Sequence, residues 1–157
     1  MTGFRRGVRL GIDVGRARVG VARCDPDGML AVPVETVQRT EASIDRIAQI
    51  AAEYEILEFV VGLPVNMQGR DTASTTDARE FAAALQQHTG APVRLVDERL
   101  STVTAHAALR TSGRSQKSSR SIVDQIAAVV LLQQAIDTEK STGNPPGATI
   151  PLNEESH

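Results

Sequence analysis

The sequence has little cysteine and no long apolar run, and each shortage excludes a class of protein. Its 157 residues include one cysteine, Cys24, so an intramolecular disulfide and a cysteine-based zinc cluster are excluded. No run approaches the ~20 consecutive apolar residues that a membrane-spanning helix requires. The charged residues that follow Arg5 and Arg6 leave no apolar core for an export signal. These features predict a cytoplasmic protein with no membrane partner.

Aromatic residues are also scarce, and charge is nearly balanced. The chain has no Trp, one Tyr and three Phe, so base stacking is not expected to be its main means of recognising nucleic acid. The net charge is only −2, but its distribution is uneven. Basic residues predominate from Arg5 to Arg23, and residues 99–123 contain no acid. This asymmetry is typical of a polyanion footprint, with solvated surface charge as the alternative for either cluster alone.

The stretch around Asp13 carries the first functional signal. Apolar residues alternate with others from Val8 to Val14, which predicts a β-strand, and a second strand follows after a tight return that uses Gly15 and Gly20. Asp is depleted in strands, so Asp13 near a strand end needs a reason. It either begins a turn or binds a metal ion beneath a phosphate-bearing substrate.

Along the chain the elements follow the order βββαβαβαα. After the first two strands, the predicted strands cover Met29–Val37, Ile56–Val61 and Val93–Val96. Pro33 indicates that the third strand lies at an edge or contains a bulge. The predicted helices cover Thr40–Tyr54, Thr72–His88, Ser101–Arg110 and Ser121–Asp137, and the last is apolar over a wide arc.

This order predicts an α/β fold with a five-stranded mixed sheet covered by helices. A three-strand antiparallel meander is followed by parallel strands. From the length of the chain, residues 1–140 are expected to form one domain. Residues 141–157, which are rich in Gly, Pro and charge, are expected to be a disordered tail. Residues 111–120, which are rich in Ser and basic residues, are expected to form a mobile loop.

Acidic residues stand at three places where apolar segments hold the backbone rigidly. Asp13 ends the first strand, Asp97 or Glu98 ends the fifth, and Asp124 lies early in the last helix. In such sheets the ligand site lies off the strand ends. Clustered carboxylates would repel one another without a cation, and Mg²⁺ prefers one or two carboxylates together with substrate phosphates. The arrangement therefore predicts a metal site for phosphodiester cleavage.

Each of these residues also has a simpler interpretation. Asp124 follows Ser121 closely and could stabilise a helix N-terminus through the macrodipole. Asp97 or Glu98 could pair with Arg99. Asn66 could be a loop residue that tolerates left-handed geometry.

Four blocks of sequence, taken together, resemble the YqgF (RuvX) family. They run in the family's order over Val8–Asp137: Ile12–Gly15 with Val19–Ala22, Gly62–Pro64 with Asn66 and Gly69, Asp97–Thr102 with Ala105, and Val123–Ala128 with Leu132 and Gln133. The resemblance implies an RNase H-like fold. The family is described as a Holliday junction resolvase and as a nuclease that acts at the 5′ end of pre-16S rRNA.

The resemblance assigns catalysis and metal binding to Asp13, Glu98 and Asp124, which would hold two Mg²⁺ or Mn²⁺ ions. At Gln68 the family often has an acid, so we assign that loop to positioning substrate rather than to metal binding. Residues expected to contact substrate are Gly15, Arg16, Arg18, Asn66, Arg99, Ser101, Thr102, Arg114, Lys117 and Arg120.

The leading functional hypothesis is a metal-dependent nuclease in 5′-end processing of pre-16S rRNA during ribosome biogenesis. Its expected partners are nucleic acid, either pre-rRNA or branched DNA, and a ribosomal particle. The alternatives are a Holliday junction resolvase in DNA recombination and repair, for which a homodimer is expected, and a non-catalytic nucleic-acid-binding factor in ribosome maturation. An ATP-dependent phosphotransferase is disfavoured because the chain has no Walker motif.

Overall fold

The computed structural model describes residues 4–97 and 116–151, and along 116–124 it describes the backbone alone. Within these ranges the chain forms six strands and three helices. The strands are β1 (Arg9–Val14), β2 (Arg18–Cys24), β3 (Ala31–Gln38), β4 (Glu58–Leu63), β5 (Val93–Asp97) and β6 (Ala148–Thr149). The helices are α1 (Ser43–Tyr54), α2 (Ala73–Thr89) and α3 (Gln116–Thr142).

One sheet holds all six strands in the order β3-β2-β1-β4-β5-β6. β1, β2 and β3 pair antiparallel, and β4 and β5 continue the sheet parallel to β1, which confirms the predicted mixed sheet. The predicted count of five strands was wrong, because the short β6 adds a sixth at the edge beside β5. Pro33 lies on edge strand β3, beside a register shift at Val21/Ala22, as its position predicted. The central position of β1 gives its residues the most rigid support in the sheet.

Helices cover both faces of the sheet. On one face α1 and α2 bury Ile47, Ile50, Phe81 and Leu85 against the sheet. On the other face α3 is the one helix among the described residues, and Leu132 is fully buried there. The wide apolar arc predicted for the last helix therefore corresponds to a deeply packed element. No described helix is long and apolar enough to cross a membrane.

Helix α3 runs antiparallel to β1 and very close to it. A Cβ added to Gly11 would lie 2.8 Å from the Ala128 carbonyl oxygen and 2.9 Å from Leu132 Cβ. This close approach explains why a glycine stands in the middle of a central strand. The early part of α3 thus lies over the carboxyl end of β1, and Glu139, near its end, reaches Arg9 at the start of β1.

The chain differs from expectation at both ends of α3. The helix begins at Gln116 and not at Ser121, so residues 116–120 are helical where a loop was predicted. It continues to Thr142, and Ala148–Thr149 pair with β5 inside the predicted disordered tail. The predicted helix at 101–110, the rest of the predicted loop at 111–115, and residues 152–157 lie outside the described residues.

Candidate active site at the carboxyl end of the first strand

Asp13 lies in a row of the sheet that runs across β1, β2 and β3. It is half-buried near the end of β1, opposite Gly20 of β2, and Gly20 lies opposite Thr36 of β3. Paired residues point to the same face of a sheet, so Asp13 and Thr36 share a face with no side chain from Gly20 between them. Arg18 shares that face, since it lies two residues before Gly20. Gly20 therefore adds no side chain beside Asp13, and Gly20 itself is buried.

Helix α3 is fixed over this same row. The Gln125 amide donates a hydrogen bond from Nε2 to Thr36 Oγ1 at 2.7 Å. The backbone of Asp124 immediately precedes Gln125 and lies one helical turn before Ala128, which packs on Gly11. The fold therefore brings the backbone of Asp124 to the end of β1 that carries Asp13.

The helix boundary removes the simpler interpretation of Asp124. Because α3 begins at Gln116, Asp124 lies more than two turns inside the helix, and the first turn of α3 contains no acid. The macrodipole acts within the first turn only. Stabilising the helix N-terminus therefore does not account for Asp124.

The register of β5 fixes the face of the sheet on which Asp97 lies. Val96 belongs to the apolar cluster under α3, on the Asp13 side of the sheet. Asp97 pairs with Leu63, which belongs to the cluster under α1 and α2. Strand alternation thus places Asp97 in the row of the opposite face. Glu98, the predicted catalytic residue, lies outside the described residues.

The β1–β2 turn requires glycine at position 15. A Cβ there would lie 2.7 Å from the Arg18 carbonyl oxygen, to which the Gly15 N–H donates at 2.9 Å. Arg39 also holds this turn: its Nη1 donates to the Gly15 carbonyl at 2.8 Å, and the same guanidinium forms a bidentate pair with Asp77 of α2. The hydrogen bonds from Arg39 lower the pKa of Asp77. Arg16 is exposed and lines an open cleft of about 500 Å³ beside this pair.

Sequence reasoning missed Arg39 because its partner Asp77 lies 38 residues away. The only available signal was its place between the third strand and the first helix, near a predicted substrate edge. Its cation also lies 4.8 Å from the Phe81 ring centroid, so it links the turn to the core.

Asn66 organises the loop that follows β4. Its Oδ1 accepts hydrogen bonds from the backbone N–H groups of Gln68, at 3.0 Å, and Arg70, at 2.9 Å. These are the contacts of a residue that shapes its own loop. Any contact with substrate would come in addition to this role.

The side chains of the remaining predicted site residues lie outside what the structure describes. Lys117 and Arg120 lie in the first turns of α3, described by backbone alone. The described side chains include no group of three or more His, Cys, Asp or Glu positioned to hold a metal ion. Two of the three proposed acids, Glu98 and Asp124, are not among those side chains. Also outside the described residues are Arg99, Ser101, Thr102 and Arg114.

Comparison of the whole chain identifies its relatives. Residues 7–138 match the family described as RuvX, Holliday junction resolvase. A relative from Leifsonia xyli subsp. xyli is 57% identical over 149 residues, covering 94% of this chain and 96% of the relative. Another, from Clavibacter michiganensis subsp. michiganensis, is 53% identical over 153 residues, covering 96% and 95%. Both carry the name of a pre-16S rRNA nuclease.

Among solved structures, Thermus thermophilus RuvC in complex with a Holliday junction substrate has a similar fold. Its TM-score is 0.56 at 16% sequence identity, covering 88% of this chain and 99% of RuvC. At that identity the likeness concerns the fold alone, and it confirms the RNase H-like architecture. The family match, the curated relatives and the four sequence blocks agree over nearly the whole length: this chain belongs to the RuvX (YqgF) family.

Proposed function

We propose that this protein is a divalent-metal-dependent nuclease that trims the 5′ end of pre-16S rRNA during ribosome biogenesis. The observation that carries the proposal is Asp13, half-buried near the carboxyl end of the central strand, in the row that Gln125 of α3 contacts through Thr36. The proposed setting is the cytoplasm, where the lone thiol of Cys24 stays reduced.

The class of reaction follows from family membership. The family and its curated relatives are nucleases, so the chain is a hydrolase that acts on phosphodiester bonds. The finer assignment, to ribosomal RNA, comes from the names of relatives that share more than half of their residues with this chain.

The donor chemistry fits Mg²⁺ or Mn²⁺. Asp13 offers a half-buried carboxylate, and the backbone of Asp124 is held at the same end of β1. Glu98 directly follows Asp97, the last residue of β5, in the sequence, and we assign it the third carboxylate from the family resemblance. These three residues would hold the metal, which when bound supplies an activated water and stabilises the leaving oxygen.

The chain's own residues position the substrate. The Arg39–Asp77 pair and the Gly15 turn hold Arg16 at the rim of the cleft, where its guanidinium can bind a phosphate. We assign Arg18, Arg99, Ser101 and Thr102 to further contacts with substrate. The basic residues Arg114, Lys117 and Arg120 would neutralise phosphates farther along the nucleic acid strand.

Cleavage of two substrates side by side tests the proposal. The purified protein and its Asp13→Asn variant are incubated with a pre-16S rRNA fragment that retains its 5′ extension, with Mg²⁺ or with EDTA. The wild type should remove the extension only with Mg²⁺. The variant should melt at the same temperature and cut more than about a hundredfold more slowly, since even outer-shell changes at metal sites cost 10–100-fold.

Two results would overturn this assignment. The first is cleavage by Asp13→Asn at the wild-type rate in a preparation purified identically. The second is wild-type protein that leaves the RNA intact but cuts a four-way DNA junction.

The second of these results would favour a junction resolvase. The family description and the likeness to RuvC bound to a Holliday junction support that alternative. A resolvase cuts two strands related by a two-fold axis, so it would act as a homodimer. Sedimentation of the protein with and without a four-way junction distinguishes the two. The RNA nuclease requires no dimer and would bind a ribosomal particle instead.

A further inference from the structure

The β4–α2 loop, residues 64–72, displays a large apolar side chain to solvent. Met67 at its tip is 87% exposed. The other large hydrophobic residues exposed in the described chain, Met29 at 71% and Leu30 at 61%, lie at the β2–β3 turn. That turn is at the opposite end of the sheet, near Phe4 and the last turns of α3.

The loop holds Met67 rigidly. Besides the Asn66 side-chain bonds, the Asn66 N–H donates to the Arg70 carbonyl at 3.0 Å, and the Gly69 N–H donates to the Asn66 carbonyl at 2.9 Å. Gly69 adopts φ 78°, which a residue with a side chain would resist. Thr75 of α2 donates a hydrogen bond to the Pro64 carbonyl and anchors the loop base. These hydrogen bonds close the five residues from Asn66 to Arg70 into a tight turn, with Met67 near its tip.

The position of this loop relates Met67 to the proposed site. β4 is the parallel neighbour of β1, with Val61 opposite Ile12. The loop begins at Pro64, about 7 Å beyond the level of Asp13 at roughly 3.3 Å per strand residue. The end of β1 that carries Asp13 and the base of this loop therefore lie at the same edge of the sheet.

The aromatic side chains cannot take this role. All four are described, and all are engaged in the fold. Phe59 and Phe81 are buried in the core. Phe4 is covered by the Arg9 guanidinium at 4.4 Å, and Tyr54 by that of Arg23 at 5.0 Å. An apolar partner for a base at this edge must come from another residue type.

We propose that Met67 packs against a nucleobase displaced from its stack beside the cleavage position, with the exposed Arg70 on the flanking phosphate. The inference rests on the proposed function and adds a positioning residue to it. Apolar side chains, Met among them, act as wedges between base steps. The thioether is flexible enough to fit different bases, which suits a substrate recognised by shape. The Met67 wedge would select unpaired or branched positions over a continuous duplex.

Binding measurements in an Asp13→Asn background test this without cleavage. The probes are a pre-16S rRNA fragment with 2-aminopurine beside the 5′ cleavage position, a four-way DNA junction, and a perfect RNA duplex of equal length. Met67→Ala should bind the fragment or the junction about tenfold more weakly and the duplex equally well. It should also lose the rise in 2-aminopurine fluorescence that displacement of the base produces.

Two further variants complete the design. Met29→Ala removes an equally exposed methionine from the far end and should match the parent on every probe. Met67→Phe, which restores an apolar face, should recover binding. All four proteins should melt at the same temperature, because Met67 and Met29 are both exposed.

The outcomes separate this inference from the proposed function. If the parent binds neither RNA nor junction, the proposed function fails and the wedge with it. If the parent binds and Met67→Ala binds equally well, or loses affinity for the duplex to the same extent, the wedge alone is wrong.

Discussion

The two ends of β1 use acidic residues in opposite ways. At its start, Glu58 and Glu139 are almost completely buried and are surrounded by guanidinium groups. Arg9 Nη2 lies 3.2 Å from Glu139, and Arg5 Nη2 lies 2.9 Å from both Glu58 and Glu139. Arg94 adds a third cation beside Glu58 at 3.4 Å. At the other end, Asp13 is half-buried opposite Gly20.

The same two elements carry both groups. β1 supplies Arg9 and Asp13, and α3 supplies Glu139 near its end and Asp124 toward its beginning. The buried acids obtain their positive charge from within the chain, so they hold the N-terminal segment, β4 and α3 together. The acids that we propose for catalysis would be balanced by a metal ion. The two ends of β1 thus differ in burial: Glu58 and Glu139 are buried among arginines, whereas Asp13 is half-buried near the strand end.

The largest expected effect concerns the second catalytic acid. Glu98→Gln should abolish metal-dependent cleavage and leave the free energy of unfolding within about 0.5 kcal/mol of wild type. Asp97→Asn should retain measurable turnover, because Asp97 lies in the row of Leu63 on the opposite face. Single-turnover rates at saturating Mg²⁺, with melting curves, check both. If Asp97→Asn is the stably folded, inactive variant, the assignment is reversed.

A substitution in the buried charge cluster at the start of β1 should lower the free energy of unfolding. Glu139→Ala leaves the buried Arg9 with the more distant carboxylate of Glu58, at 3.9 Å, and removing one member of a buried pair costs about 3–5 kcal/mol. Glu35→Ala, which removes an acid from the solvent-accessible pair with Arg46, should change stability far less and serves as the control. Urea unfolding followed by circular dichroism measures both. Equal losses would show that Glu139 contributes no more than a surface pair.

The smallest expected effect is in the pH dependence of stability. Burial alone would raise the pKa of Glu139, but hydrogen bonds from Arg5 and the charge of Arg9 outweigh it and lower the pKa below its usual range. A lowered folded-state pKa contributes stability that is complete above the unfolded pKa of about 4.3 and is lost as the pH falls through the folded value.

Glu139→Gln removes this contribution. Between pH 5 and pH 3 its free energy of unfolding should fall less steeply than that of the wild type, by at most about 1.4 kcal/mol per pH unit. Urea midpoints measured across this range test the difference. Parallel curves would mean that Glu139 does not titrate with folding.

Patterns within one segment predicted most of the fold. Alternation from Val8 to Val14 predicted β1, and Pro33 predicted the edge position of β3. The buried charge cluster was not predictable, because Arg9 and Glu139 are 130 residues apart and nothing local distinguishes them from surface charges. The start of α3 at Gln116 was missed because its first residues lack the apolar period, although Gln, Lys and Arg favour helices.

The candidate site shows the same difference between local sequence patterns, which could be read, and long-range contacts, which could not. The place of Asp13 at a strand end was a local inference, and the structure puts it there. The choice between Asp97 and Glu98 was not local, since apolar residues occupy both faces of a strand covered on both sides. The pairing of Asp97 with Leu63 places Asp97 on the face opposite Asp13, and the assignment of Glu98 as the second acid stays a prediction.

The pairing of β6 with β5 has a consequence for synthesis of the chain. β6 follows β5 by about 50 residues, so at roughly 5–20 residues per second the outer edge of β5 emerges several seconds before its cover. During that interval its unpaired N–H and C=O groups could bind any extended peptide nearby. β6, the last described strand, therefore covers the edge of β5 only late in synthesis. A truncation before Ala148 would leave this edge uncovered in the nascent and the mature chain alike, so both would be prone to aggregation.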